Sequence, residues 1–152
     1  MFIIIGDLYQ YIRGGDYNLE HFEETVSKYN DLENVSLGFN VTLQNYNLLN
    51  LKKLHSYLFD LDNKFHNVDA RSAFNTICNN PSYLSPINVP DSIRDIALEQ
   101  LSDIDDFVNL CNSLKSREFE SDTWNTFVKF TKILDKNRGE NFLDIEPIYT
   151  EY

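Results

Sequence analysis

Few side chains in this 152-residue chain are of the types that do chemistry, and their spacing excludes several kinds of it. Cys78 and Cys111 stand 33 residues apart, each alone in its neighbourhood. A zinc site or a disulfide scaffold needs more ligands at closer spacing, so the expectation is two reduced core thiols. His21, His55 and His66 are scattered over helix and loop positions without ligand spacing and read as surface residues. Asp103, Asp105 and Asp106 form an acidic cluster, but the glycine turn and distal glutamate of a calcium loop are missing. The cluster therefore reads as a solvated helix start. No Gly-rich phosphate loop and no G-x-S-x-G elbow occurs.

The elements that must carry these residues are read from hydrophobic period. Residues 2–5 are wholly apolar and mostly β-branched, end at Gly6, and suit a buried strand of a parallel sheet. Helical turns are expected over residues 7–13. Gly14 and Gly15 break the chain, after which Phe22, Val26, Tyr29 and Leu32 recur at helical spacing. Val35, Leu37, Phe39, Val41 and Leu43 alternate with small or polar residues, the period of a strand. Leu51, Leu54, Leu58 and Leu61 stripe a helix over residues 48–62, and a weaker strand is expected between 68 and 77.

Pro81, Pro86 and Pro90 make residues 79–90 a loop, since each removes a donor and restricts its predecessor. Pro90 suits a helix start. The apolar positions from Ile93 to Leu114 predict two helices or one bent helix, with Ser102 and Asp103 as the restart cap. A last helix over residues 122–137 buries Trp124, Phe127, Val128, Thr131 and Leu134, and Gly139 stops it. Alternation of strand and helix followed by helices predicts an α/β fold: a short parallel sheet over residues 1–90, then a helical appendix over 91–152 packed on it as one domain.

Composition sets the remaining bounds. The 42% hydrophobic and 14% aromatic content is that of a folded chain. A net charge of −11 repels phosphate backbones and anionic headgroups, so nucleic acid is disfavoured as a partner unless a local basic patch overrides the average. The apolar run at the start is too short for a signal peptide or a membrane span, and the cytoplasm is the expected compartment.

Four blocks carry a resemblance to a known family. They are Gly6-Asp7-Leu8-Tyr9-Gln10-Tyr11-Ile12-Arg13-Gly14-Gly15-Asp16-Tyr17; residues 37–48 with Asn40, Thr42 and Tyr46-Asn47; Asn80-Pro81-Ser82-Tyr83-Leu84-Ser85-Pro86 through Val89-Pro90 to Arg94; and Leu134-Asp135-Lys136-Asn137-Arg138-Gly139-Glu140-Asn141-Phe142, followed by Ile145-Glu146-Pro147. In this order they resemble radical S-adenosylmethionine (SAM) proteins of the twitch-domain type, common in phage-like genomes. Gln10 stands where the family usually has Glu, Tyr17 where it has Trp, and Arg94 where it has Lys. The Cys-x3-Cys-x2-Cys loop that holds the family's iron-sulfur cluster is not in these residues.

The resemblance implies that the chain begins near the family's fourth strand and forms the C-terminal half of a partial (β/α) barrel. It implies that strand ends line a SAM pocket, as in barrels generally. Arg13 would hold the SAM carboxylate, because a guanidinium pairs with that anion bidentately. Asn40, Thr42 and Asn47 would meet other SAM groups, and the backbone near Ile77 and Cys78 would meet adenine. The structural alternative is that Arg13 closes a short helix while Asn40 and Thr42 flank a strand end. This chain alone would hold no cofactor; SAM and a [4Fe-4S] cluster are implied for the complete protein.

Two functions follow as expectations. One is a chain that is inert alone and catalytic when an N-terminal radical SAM half, or another chain, pairs with the exposed strand at residues 2–5. The other is a stand-alone, non-enzymatic binding or regulatory module, phage-encoded and directed at a protein partner, which an acidic charge suits.

Overall fold

A computed structural model describes residues 3–15 and 18–149 of the chain. Its first element corrects the sequence reading: Ile3, Ile4 and Ile5 open helix α1 (Ile3–Arg13) and do not form a strand. Phe2 of the expected strand, and Asp16 and Tyr17 of the first sequence block, lie outside the described residues. The physical reason is that Ile4, Leu8, Tyr11 and Ile12 also fall at helical spacing, and a helix satisfies its backbone groups internally. A strand would have needed a neighbour. Leu8 and Tyr11 are buried, which fixes the face of α1 that packs inward.

Helix α2 (Leu19–Asn30) starts at Asn18, whose side chain accepts from the His21 backbone N–H at 3.0 Å. The alternating segment then forms strand in two pieces. β1 (Leu37–Gly38) and β2 (Thr42–Leu43) are separated by three residues, and their partners β3 (Val68–Asp69) and β4 (Thr76–Ile77) by six. β1 pairs with β3 and β2 with β4, both parallel. Unequal spacers prevent one continuous ladder. The excess is absorbed by a turn in which the Ala73 N–H donates to the Ala70 carbonyl, while the Val41 N–H reaches the Ala73 carbonyl at 2.7 Å.

The crossover between the paired strands is a 3-10 turn (Asn45–Asn50) running into α3 (Leu51–Lys64), in keeping with the helical connection that parallel strands require. Leu51, Leu58 and Leu61 face the core from α3. Helix α4 (Asp91–Leu101) begins after Pro90 as expected. Ser102 ends α4 instead of capping the next element, and the chain restarts at Ile104 into a 3-10 turn and α5 (Val108–Ser116). Helix α6 (Ser121–Arg138) buries Trp124, Phe127, Val128 and Thr131, and Gly139 closes it at φ 67°. A short α7 (Phe142–Ile145) and a 3-10 turn (Pro147–Tyr149) end the described chain.

The result is an α/β arrangement, mainly helical, with two short parallel strand pairs. One hydrophobic core runs from Leu8 to Tyr149 and joins the two expected sequence halves. Among the described residues no helix is long and apolar enough to cross a membrane.

Candidate functional site

Four side chains to which the resemblance assigns ligand contacts border one cleft, while His55, Asp103, Asp105 and Asp106 border another. Arg13, Asn40, Thr42 and Asn47 all border a cleft of about 350 Å³. Its walls are the last turns of α1, which supply Tyr9, Ile12 and Arg13; residues 39–42, from the link between β1 and β2 to the start of β2; and α3, which supplies Leu54, Tyr57 and Leu58. Phe22 of α2 closes the aromatic side, its ring 6.2 Å from Phe39 and 6.5 Å from Tyr57. The volume is within the range of about 300–1,000 Å³ typical of small-molecule sites, and a mostly apolar lining with a few polar groups has the same character.

Strand geometry explains how the polar groups reach it. Successive side chains alternate, so Leu37, Phe39, Val41 and Leu43 turn toward the core while Asn40 and Thr42 stay exposed. Gln44 continues the same polar register and also borders the cleft. It was not singled out in the sequence, although the period-two run Asn40, Thr42, Gln44 was the available signal. Tyr9 was likewise missed, although it lies one helical turn before Arg13 and therefore on the same face.

The four predicted residues differ in what they are free to do. Arg13 is exposed and, among the described residues, forms no ion pair. Thr42 is exposed at the strand edge. Asn40 accepts from the Thr76 hydroxyl at 3.2 Å, which leaves its amide N–H groups. Asn47 is buried and already spent on the backbone: its amide donates to the Thr42 carbonyl at 2.9 Å and its oxygen accepts from the Gln44 N–H at 2.9 Å. Asn47 therefore shapes the wall. Ile77 and Cys78 do not border the cleft.

A second set of contacts holds the two ends of that wall. The Tyr11 hydroxyl donates to Asp135 at 2.8 Å, and Asp135 also accepts from the Phe142 N–H at 3.2 Å. The Arg138 guanidinium donates to the Tyr11 carbonyl, in the last turn of α1 and two residues before Arg13. Phe142 is fully buried, with ring centroids 5.3 Å from Tyr11, 5.0 Å from Tyr46 and 5.1 Å from Tyr149. Beyond it, Glu146 accepts from Asn50 and the Tyr149 hydroxyl donates to the Asn45 carbonyl at 2.5 Å. The C-terminal sequence block is thus a clasp. It grips α1 through Tyr11 and the 3-10 turn after β2 through Asn45 and Asn50.

Burial sets the ionisation of the clasp. The Tyr11 phenol is pushed far up by burial and by its hydrogen bond to Asp135, and burial pushes Tyr46 up to about 12. Burial also raises the Glu146 carboxyl above the ordinary carboxylate range, against the opposing effects of Asn50 and Lys53. None of these groups is placed to exchange protons with a ligand in the cleft.

The residues present fit the two groups of the expected cofactor chemistry unequally. A ligand carrying a carboxylate and a planar ring would suit Arg13 together with Asn40, Thr42 and the aromatic wall. An iron-sulfur cluster does not fit: among the described residues no three His, Cys, Asp or Glu groups converge for a metal ion, and Cys111 is buried in α5 with its thiol pushed up by burial. Compared with known proteins, the chain matches no family model, and no curated protein or solved structure is detectably similar to it.

Proposed function

We propose that this chain is the C-terminal part of a radical SAM protein and supplies one wall of its SAM and substrate pocket. The observation that carries the reading is convergence: Arg13, Asn40 and Thr42, separated in sequence and selected from it through the family resemblance, border one cleft. Arg13 would pair with the SAM carboxylate, Asn40 and Thr42 would bond ribose or methionine groups, and Tyr9 and Phe39 would pack against its apolar surface. When bound to a reduced cluster, SAM supplies a 5'-deoxyadenosyl radical; this chain's part is to bind and orient. The partial-barrel architecture belongs to this proposal, with the cluster on an N-terminal half in another chain or segment. The partner would have to join at the parallel strand pairs, because residues 3–5 are helical. A cytoplasmic location goes with this reading, since both cysteines are free thiols.

The test is anaerobic reconstitution of a cluster-bearing N-terminal radical SAM half, reduced with dithionite and given SAM, with and without this chain. Release of 5'-deoxyadenosine from SAM only in the mixture is the expected result. Indifference of the two chains to one another would overturn it.

The continuous core from Leu8 to Tyr149 favours a second reading, a phage-encoded binding or regulatory module that works without completion. The same mixing experiment separates the two, because a module of this kind forms no complex with the cluster-bearing half.

A further inference from the structure

The outer face of α6 has a composition opposite to the rest of the molecule. The chain carries −11 overall, yet Lys129, Lys132 and Lys136 lie exposed on three successive turns of this helix. At 100° per residue the three lysines fall within one narrow stripe. Ile133 and Phe130, 60% and 37% exposed, form an adjacent stripe on the same outward side. The opposite side of α6 is fixed in the core by Trp124, Phe127 and Thr131, so the outward face cannot turn inward. Phe130 meets the Tyr83 ring at 5.2 Å, which extends the apolar stripe onto the neighbouring 3-10 turn.

Nothing in the fold uses this cationic stripe. Lys64, Arg71, Arg94 and Arg117 have carboxylate partners, whereas among the described residues Lys129, Lys132 and Lys136 are in no ion pair. Asp135, the acid nearest to them in sequence, is held on the other side by Tyr11 and Phe142. Side-by-side cationic and apolar stripes on a rigid helix match the reverse pattern on a partner.

We infer that this face of α6 docks an acidic amphipathic segment of a partner protein, its carboxylates on Lys129, Lys132 and Lys136 and its apolar side chains on Phe130, Ile133 and Tyr83. Charge complementarity selects the occupant. A nucleic acid could stack on Phe130 and Tyr83 but has no aliphatic counterpart for Ile133, and the net charge of −11 opposes its continuous row of phosphates more than a few carboxylates on a mixed segment. The same charge opposes an anionic bilayer, and two apolar side chains offer little to insert. Helix-face recognition of this kind has apolar anchors for affinity and flanking charges for register.

The test is fluorescence anisotropy with a labelled synthetic helical peptide carrying glutamate on one flank and leucine on the next. Comparison ligands are a scrambled peptide of the same composition, a thymidine oligonucleotide and phosphatidylglycerol vesicles. The amphipathic peptide is expected to bind, more weakly as salt rises, and to lose about tenfold or more in affinity with K129E/K132E/K136E. The double variant Phe130→Ser/Ile133→Ser is expected to weaken it similarly, and Lys28→Glu on α2 to leave it unchanged. All variants are checked by thermal unfolding, and Ile133→Ser alone, which leaves the Phe130–Tyr83 contact in place, is also expected to weaken the peptide. Equal binding of the scrambled peptide, insensitivity to the lysine reversals, or tighter binding of the oligonucleotide or vesicles would overturn the inference.

Discussion

The Tyr11 hydroxyl donates to the Asp135 carboxylate at 2.8 Å, joining two residues 124 positions apart. Through this bond the end of α6 controls where the end of α1 lies, and with it Arg13 at the cleft. Tyr11→Phe removes the donor while keeping the buried ring. A hydrogen bond to a charged acceptor contributes about 1.5–3 kcal/mol, less where the acceptor keeps another partner, as Asp135 does in Phe142. The expected loss is about 1.5 kcal/mol in urea denaturation, with any ligand affinity of the cleft falling in parallel. A variant as stable as the parent would show that the bond does not hold the clasp.

Asn47 and Arg13 should separate wall from ligand contact. Asn47→Ala deletes two bonds from a buried side chain, to Thr42 and Gln44, and should cost about 2–3 kcal/mol. Arg13→Ala removes an exposed cation that forms no ion pair among the described residues, and should leave stability in urea within about 0.5 kcal/mol of the parent. The reverse ranking would mean that Arg13 is the structural residue of the two.

Burial of Glu146 sets the sign of a pH dependence of the fold. Its carboxyl is raised above the unfolded value of 4.5 by burial, so the folded state prefers the protonated form. The associated stability is complete below the unfolded pKa and is lost as pH rises through the folded one. Above the unfolded value the burial of this group is therefore a net cost. Glu146→Gln keeps an oxygen to accept from Asn50, so it should raise the melting temperature at pH 7 and flatten its decline above pH 4.5. Thermal unfolding across that window checks this; a lower melting temperature at pH 7 would show that the ionised form is the favoured one.

Gly139 ends α6 at φ 67°, with open space where a Cβ would stand. Gly139→Ala therefore meets no clash, and its cost is the left-handed backbone alone, about 1–2 kcal/mol. Denaturation measures it, and a neutral effect would place the glycine's role outside helix termination.

These relationships explain which parts of the molecule the sequence made legible. Helices α2, α3 and α6 were readable because each combines a 3.6-residue apolar period with a local stop or start, such as Asn18 or Gly139. Residues 3–5 were misread because a four-residue apolar run has no period that distinguishes strand from helix. The break between β1 and β2 was hidden because it depends on the unequal partner segment at residues 70–75, not on residues 39–41 themselves. At the cleft, Asn40 and Thr42 were singled out by the resemblance of residues 37–48, and alternation accounts for their exposure, while the role of Asn47 rests on backbone geometry. The C-terminal block was visible as a pattern, but its partners Tyr11, Asn45 and Asn50 lie about a hundred residues away, and no local rule connects them.

Calorimetric titration of SAM into this chain mixed with a cluster-bearing N-terminal radical SAM half is the most direct test, with mixtures containing the parent and Arg13→Ala, whose fold should be undisturbed, compared side by side. Saturable binding with the parent and a loss of about tenfold or more with the variant are expected, the effect of deleting one charge-assisted contact. No saturable binding with the parent, or equal binding by both mixtures, would contradict a SAM pocket at this cleft.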